Sequence, residues 1–175
     1  MTVKKIILIL LAVTFLSNTQ NSDLVNEIRS DFQQIESEED IEKILAYKVK
    51  GLDDEEDELI NAYKAAGTCM MANYVFSPKS KLKYFKQGKG ELEELILTNK
   101  DVEKVYLRLL IQLNIPKFLN YHGDIEADIY YLQEHMAESS IETSFKSRMI
   151  ENLLSVAKKQ DYKEGLSEVE VEENR

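Results

Sequence analysis

Apolar residues recur along this chain at three- and four-residue intervals, the spacing that gathers them on one face of an α-helix. Leu24, Ile28, Phe32 and Ile35 predict a first helix, with Asn21 or Ser22 placed to cap it. A second is predicted from about Glu38: Ser37 and Asp40 have the spacing of a capping box, Ile41, Ile44 and Leu45 supply the inward face, and Gly51 closes it. Leu59, Tyr63, Ala66, Met70 and Tyr74 predict a long third helix, entered through the acidic run Asp53 to Glu58. Ser77 and Pro78 mark the next boundary, since serine suits the cap and proline the first helical position.

The stretch from Leu82 to Leu113 reads as a helical hairpin at the centre of the fold. Leu82, Phe85, Leu92, Leu95 and Ile96 form one stripe, interrupted by Gly88 where a bulky side chain would obstruct a neighbour. Gly88 and Gly90 each cost about 1 kcal/mol of helix propensity and could also mark a break. After the polar turn Thr98 to Asp101, with Asp101 as N-cap, Val102, Val105, Tyr106, Leu109, Leu110 and Leu113 make a second stripe, which Leu107 and Ile111 widen to another side. A helix apolar on two sides is packed on both. Pro116 ends it, because proline disfavours helical geometry in the residue before it. A short aromatic connection, Lys117 to Gly123, leads to a helix carrying Ile125, Ile129, Leu132 and Met136, and a last one runs from about Glu142 to Lys158.

Composition agrees with a helical reading: six Gly and two Pro leave few of the turns that many short strands need. The chain of 175 residues is the size of one domain. Residues 20–161 are therefore read as a single all-α domain of about six helices in antiparallel hairpins, and 162–175, with five Glu beyond Asp161, as a disordered acidic tail. Residues 1–19 read as a signal peptide: Lys4 and Lys5 precede the ten apolar or uncharged residues Ile6 to Phe15, too few for the roughly 20 that span a bilayer. Cleavage would follow Thr19 or Ser17, leaving a periplasmic or secreted chain with no stable membrane span. Loss of Lys4 and Lys5 takes the formal charge from −10 to −12. Such acidity argues against a nucleic-acid partner, which is usually met by a basic face.

Local chemistry is sparse. Cys69 is the only cysteine, so no intramolecular disulfide forms, and its apolar neighbours point to a core position. The run Asp53 to Glu58 is contiguous and lacks the central glycine of a calcium loop, so it reads as a charged first helical turn. No phosphate loop, nucleophile elbow or cofactor pattern occurs. Two histidines lie in a polar cluster, where His122, Asp128 and His135 offer ligand types suited to zinc but not the spacing of a strong motif. Lys79, Lys81, Lys83, Lys86 and Lys89 make the only basic patch of an acidic chain.

Leu95 and Ile96, the turn Thr98 to Asp101 and the aromatic Tyr106 together resemble the junction between two tetratricopeptide repeats, in degenerate form. The segments Tyr106 to Arg108 and Pro116 to Leu119 are also similar to those of small, uncharacterised, exported helical proteins of Gram-negative bacteria. The first resemblance implies stacked hairpins, or an irregular bundle like them, presenting a groove to a protein or peptide. Two functional readings result. One is an exported interaction module without evident catalysis, contacting a protein or peptide through Lys79, Lys83, Lys86, Phe118, Tyr121 and His122. The other is a small metal-binding protein or enzyme built on His122, Asp128 and His135. Neither reading fixes an oligomeric state.

Overall fold

A computed structural model describes residues 24–49 and 54–172. The predicted signal segment, the caps Asn21 and Ser22, Gly51 and Asp53 lie outside these residues. Among the described residues there are eight α-helices and no strand, so the all-α class holds while the helix count exceeds the expected six. They are α1 (24–33), α2 (Glu38–Ala46), α3 (Asp54–Met71), α4 (Pro78–Thr98), α5 (Val102–Asn114), α6 (Ile125–His135), α7 (Thr143–Val156) and α8 (Gln160–Ser167), with a 3₁₀ turn at Lys117–Leu119. The chain divides into two compact units, the first ending at Phe85 and the second beginning at Lys86. Helix α4 runs unbroken through that point, so Gly88 and Gly90 do not interrupt it.

In the first unit α2 packs on α3. The predicted capping box sets the start of α2: Ser37 Oγ accepts from Asp40 N at 3.3 Å, and Asp40 Oδ2 accepts from Ser37 N at 2.9 Å. These bonds hold the Asp40 carboxyl below its ordinary range, the backbone N–H of Glu36 contributing most. Ile41 and Ile44 are fully buried. Gly67 of α3 makes the close approach, since a Cβ there would lie 3.3 Å from Ile44 Cγ2. From α1, Phe32 meets Tyr63 edge-on with centroids 5.0 Å apart. Cys69 is buried, its thiol 3.6 Å from the Phe85 carbonyl.

The second unit is organised around α5, which packs on α6 and α7. Asp101 caps it as predicted, accepting from Glu103 N at 2.9 Å and Lys104 N at 2.8 Å. Both sides of this helix are covered, because Val105, Leu107 and Leu109 are fully buried and Ile111 and Leu113 nearly so. Tyr106 accepts a hydrogen bond from Asn152 Nδ2 of α7 at 3.1 Å. Burial pushes its phenol up to about 12, against the pull of Asn152 and with help from Glu103.

Past residue 161 the structure departs from the expected disordered tail. Leu166 of α8 is fully buried and Val169 nearly so. Helix α8 packs on α6 and α7, with Gln133 Nε2 donating to the Gly165 carbonyl at 2.8 Å. Gly165 permits the contact: a Cβ there would come within 2.9 Å of Ile129 Cγ2. Polarity hid this helix, because Asp161 and Glu164 face solvent and a single leucine anchors it.

Helix C-termini are closed in an unusual way for a chain so poor in glycine. The C-caps Tyr47, Ile115 and Ala157 turn to extended backbone, and among the described non-glycine residues only Asn120 has positive φ, at 49°. After three of the helices a lysine from a later element meets a carbonyl just beyond the last helical residue. Lys64 Nζ reaches Tyr47 O at 2.8 Å, Lys104 Nζ reaches Asn99 O at 2.9 Å, and Lys146 Nζ reaches Ala137 O at 2.9 Å. A cation there also suits the negative end of the helix dipole.

Two outcomes test this description. Leu166→Ala should lower unfolding stability by about 2–4 kcal/mol in urea titrations, whereas Leu97→Ala should change it by under about 0.5 kcal/mol. Because the neutral Tyr106 phenol is favoured in the fold, its contribution is present below pH 10 and lost between about 10 and 12. Wild-type stability should therefore fall over that window by about 2–3 kcal/mol more than that of Tyr106→Phe, which cannot ionise there.

Candidate functional site

Helix α5 carries a polar row, Lys104, Arg108 and Gln112, four residues apart and all buried. Arg108 is its centre. Its Nε and NH2 grip Asp128 of α6 at 2.8 and 2.5 Å, and NH1 bonds Glu93 of α4 at 2.9 Å. Asp128 has no exposure at all, so both of its oxygens are consumed by one guanidinium in a fork geometry. Burial is the larger influence on Asp128 and pushes its carboxyl above the ordinary range, while Arg108 pulls the other way. Burial also disfavours the charge on Arg108, but Asp128 and Glu93 together outweigh it and hold the guanidinium protonated.

Glu93 links this buried pair to the surface. Its second oxygen accepts from the Tyr121 hydroxyl, and the ring of Tyr121 lies 4.4 Å beneath Lys89 Nζ. At the other end of α4, Lys100 Nζ lies 4.0 Å over the Tyr131 ring, whose hydroxyl donates to the Lys100 carbonyl at 3.2 Å. Earlier residues of α4 thus meet the approach to α6, and the turn after α4 meets the later part of α6. Arg108 of α5 is bonded to both helices, through Glu93 of α4 and Asp128 of α6. On α4 between these lysine–tyrosine pairs stands Leu97, 86% exposed, while Tyr130 of α6 is 61% exposed. Leu97 thus stands in solvent on a helix whose Lys89, and the Lys100 that follows it, each lie over a tyrosine ring.

The residues singled out from the sequence fall into three groups. Lys79, Lys83 and Lys86 are exposed along α4, and Phe118 is 83% exposed on the 3₁₀ turn. Tyr121 is instead buried, so it supports the face rather than presenting a surface, and His122 is half-buried with Nε2 3.3 Å from the Ile115 carbonyl at the end of α5. The proposed ligand set His122, Asp128 and His135 does not assemble. Asp128 is taken by Arg108, and the His135 ring lies against Tyr131 with centroids 4.3 Å apart. Among the described residues no three His, Cys, Asp or Glu are grouped to hold a metal ion.

Arg108 and Glu93 escaped the sequence reading, although a signal was present. An arginine in the middle of a helix apolar on two sides needs a partner, and Asp128 stands on the inward stripe between Ile125 and Leu132. Leu97 left no such signal, because its exposure depends on how the helices pack rather than on its own neighbours in sequence.

No family model matches the chain, and no curated protein or solved structure is significantly similar to it. Among the described residues no helix is long and apolar enough to cross a membrane.

Removal of Arg108 alone leaves a buried aspartate uncompensated, so Arg108→Leu should cost about 3–5 kcal/mol in denaturant titration. The double variant Arg108→Leu/Asp128→Leu should recover most of that loss. A double variant no more stable than the single would show that the pair does not carry the interaction.

Proposed function

We propose that the chain is an exported helical module, periplasmic or secreted, whose hairpins stack in a tetratricopeptide-like manner and bind a protein or peptide. Export rests on Lys4 and Lys5 followed by the apolar run from Ile6 to Phe15. The contacts of Glu93 with Arg108 and Tyr121, and of Lys100 with Tyr131, tie successive helices together and support the stacked reading. Leu97 is the observation that carries binding. Folding gains little from a leucine left 86% exposed, whereas a partner could bury it between the two lysine–tyrosine pairs. Phe118 and Tyr130 add exposed aromatic area of the kind enriched at interfaces.

The experiment places a photoreactive benzoylphenylalanine at Tyr130 in cells that make the full chain. Irradiation should yield a discrete adduct in the envelope or secreted fraction, and a second substitution, Leu97→Asp, should remove most of it while leaving the helical circular dichroism intact. An adduct indifferent to Leu97→Asp, or a full-length chain confined to the cytoplasm, would refute the reading.

A further inference from the structure

The first half of α4 carries its charge the wrong way round for a helix. Residues 78–89 contain five lysines and no carboxylate, the first turn holds no acid, and Glu91, Glu93 and Glu94 follow later. Positive charge near an N-terminus opposes the helix dipole, so helix energetics alone do not account for it. Lys79 and Lys83 are exposed and, among the described residues, paired with no carboxylate. They stand one turn apart on one face, with Leu82 beside Lys83. Leu82 is 42% exposed, and Phe76, just ahead of the helix, is 100% exposed. Two cations without a carboxylate partner among the described residues, and two exposed apolar side chains, therefore lie at one end of a helix in a chain of formal charge −10.

We infer that this end of α4 is a docking surface for an acidic, extended peptide segment of another protein. Its carboxylates pair with Lys79 and Lys83, and an apolar side chain covers Phe76 and Leu82. The inference rests on the reading of the chain as an interaction module but concerns a face other than that of Leu97. Charge complementarity selects the occupant. An anionic bilayer spreads its charge across everything facing it, so the net negative charge of the chain counts against a lipid surface, whereas a short peptide feels mainly charges within about 10 Å. Spacing agrees: Lys79 and Lys83 are separated by about 6 Å of helical rise, near the roughly 6.6 Å between alternate side chains of an extended strand.

The test uses the purified chain and a fluorescein-labelled peptide of about twelve residues, with Glu at alternate positions and one central Phe. Anisotropy should report binding that weakens as salt rises from about 0.05 to about 0.3 M. Lys79→Glu/Lys83→Glu should weaken binding at least about tenfold without lowering the thermal midpoint, because glutamate suits a helix N-terminus better than lysine does. Phe76→Ser should weaken it by about threefold or more. The control Lys158→Glu/Lys163→Glu makes the same change in net charge at exposed positions and should leave affinity nearly unchanged. Absence of binding at low salt, equal losses in the two double variants, or preference for phosphatidylglycerol vesicles over the peptide would overturn the inference. Failure of the peptide while the Leu97-dependent adduct at Tyr130 still forms would refute this surface alone. Failure of both would refute the interaction-module reading as well.

Discussion

A guanidinium in the interior can remain charged only if its field is answered at close range, and the second unit is built to answer Arg108. Asp128 and Glu93 come from two different helices, α6 and α4, so one side chain ties both to α5. Hydrophobic stripes specify that helices pack; they tolerate small slides along one another. A forked arginine–carboxylate pair does not, because a slide of one residue would leave a charge unanswered. Through Glu93 the same constraint reaches Tyr121 and, beyond it, the lysine–tyrosine rim of the exposed face. Surface and core are in this sense one construction.

Much of the fold was readable before any coordinates. The capping box at Ser37, the cap at Asp101, the start of α4 at Pro78 and the two-sided burial of α5 all follow from local patterns whose physics is confined to a few residues. Helix α8 was not, because a segment of mostly polar residues is anchored by Leu166 and by the space left at Gly165, and neither signals helix in isolation. The division at Phe85 was likewise hidden inside one continuous helical pattern.

The candidate site was less legible than the fold for a related reason. Residue types announce chemistry, but burial decides it. His122, Asp128 and His135 suggest ligands in a list, yet one is locked to Arg108, one rests on Tyr131 and one meets the end of α5. Tyr121 likewise serves the interior, whereas Leu97, unremarked among many leucines, stands in solvent.

The lysines that meet helix C-termini have a consequence for the order in which the chain becomes structured. A glycine ends a helix from within, as soon as the helix itself forms. Here the closing groups for α2, α4 and α6 lie 17, 5 and 9 residues beyond the carbonyls they meet. A chain that emerges N-terminus first therefore leaves the carbonyl just past each of these helices without its lysine until the next helix arrives. Each of the three contacts is missing from a fragment that stops at the end of its own helix.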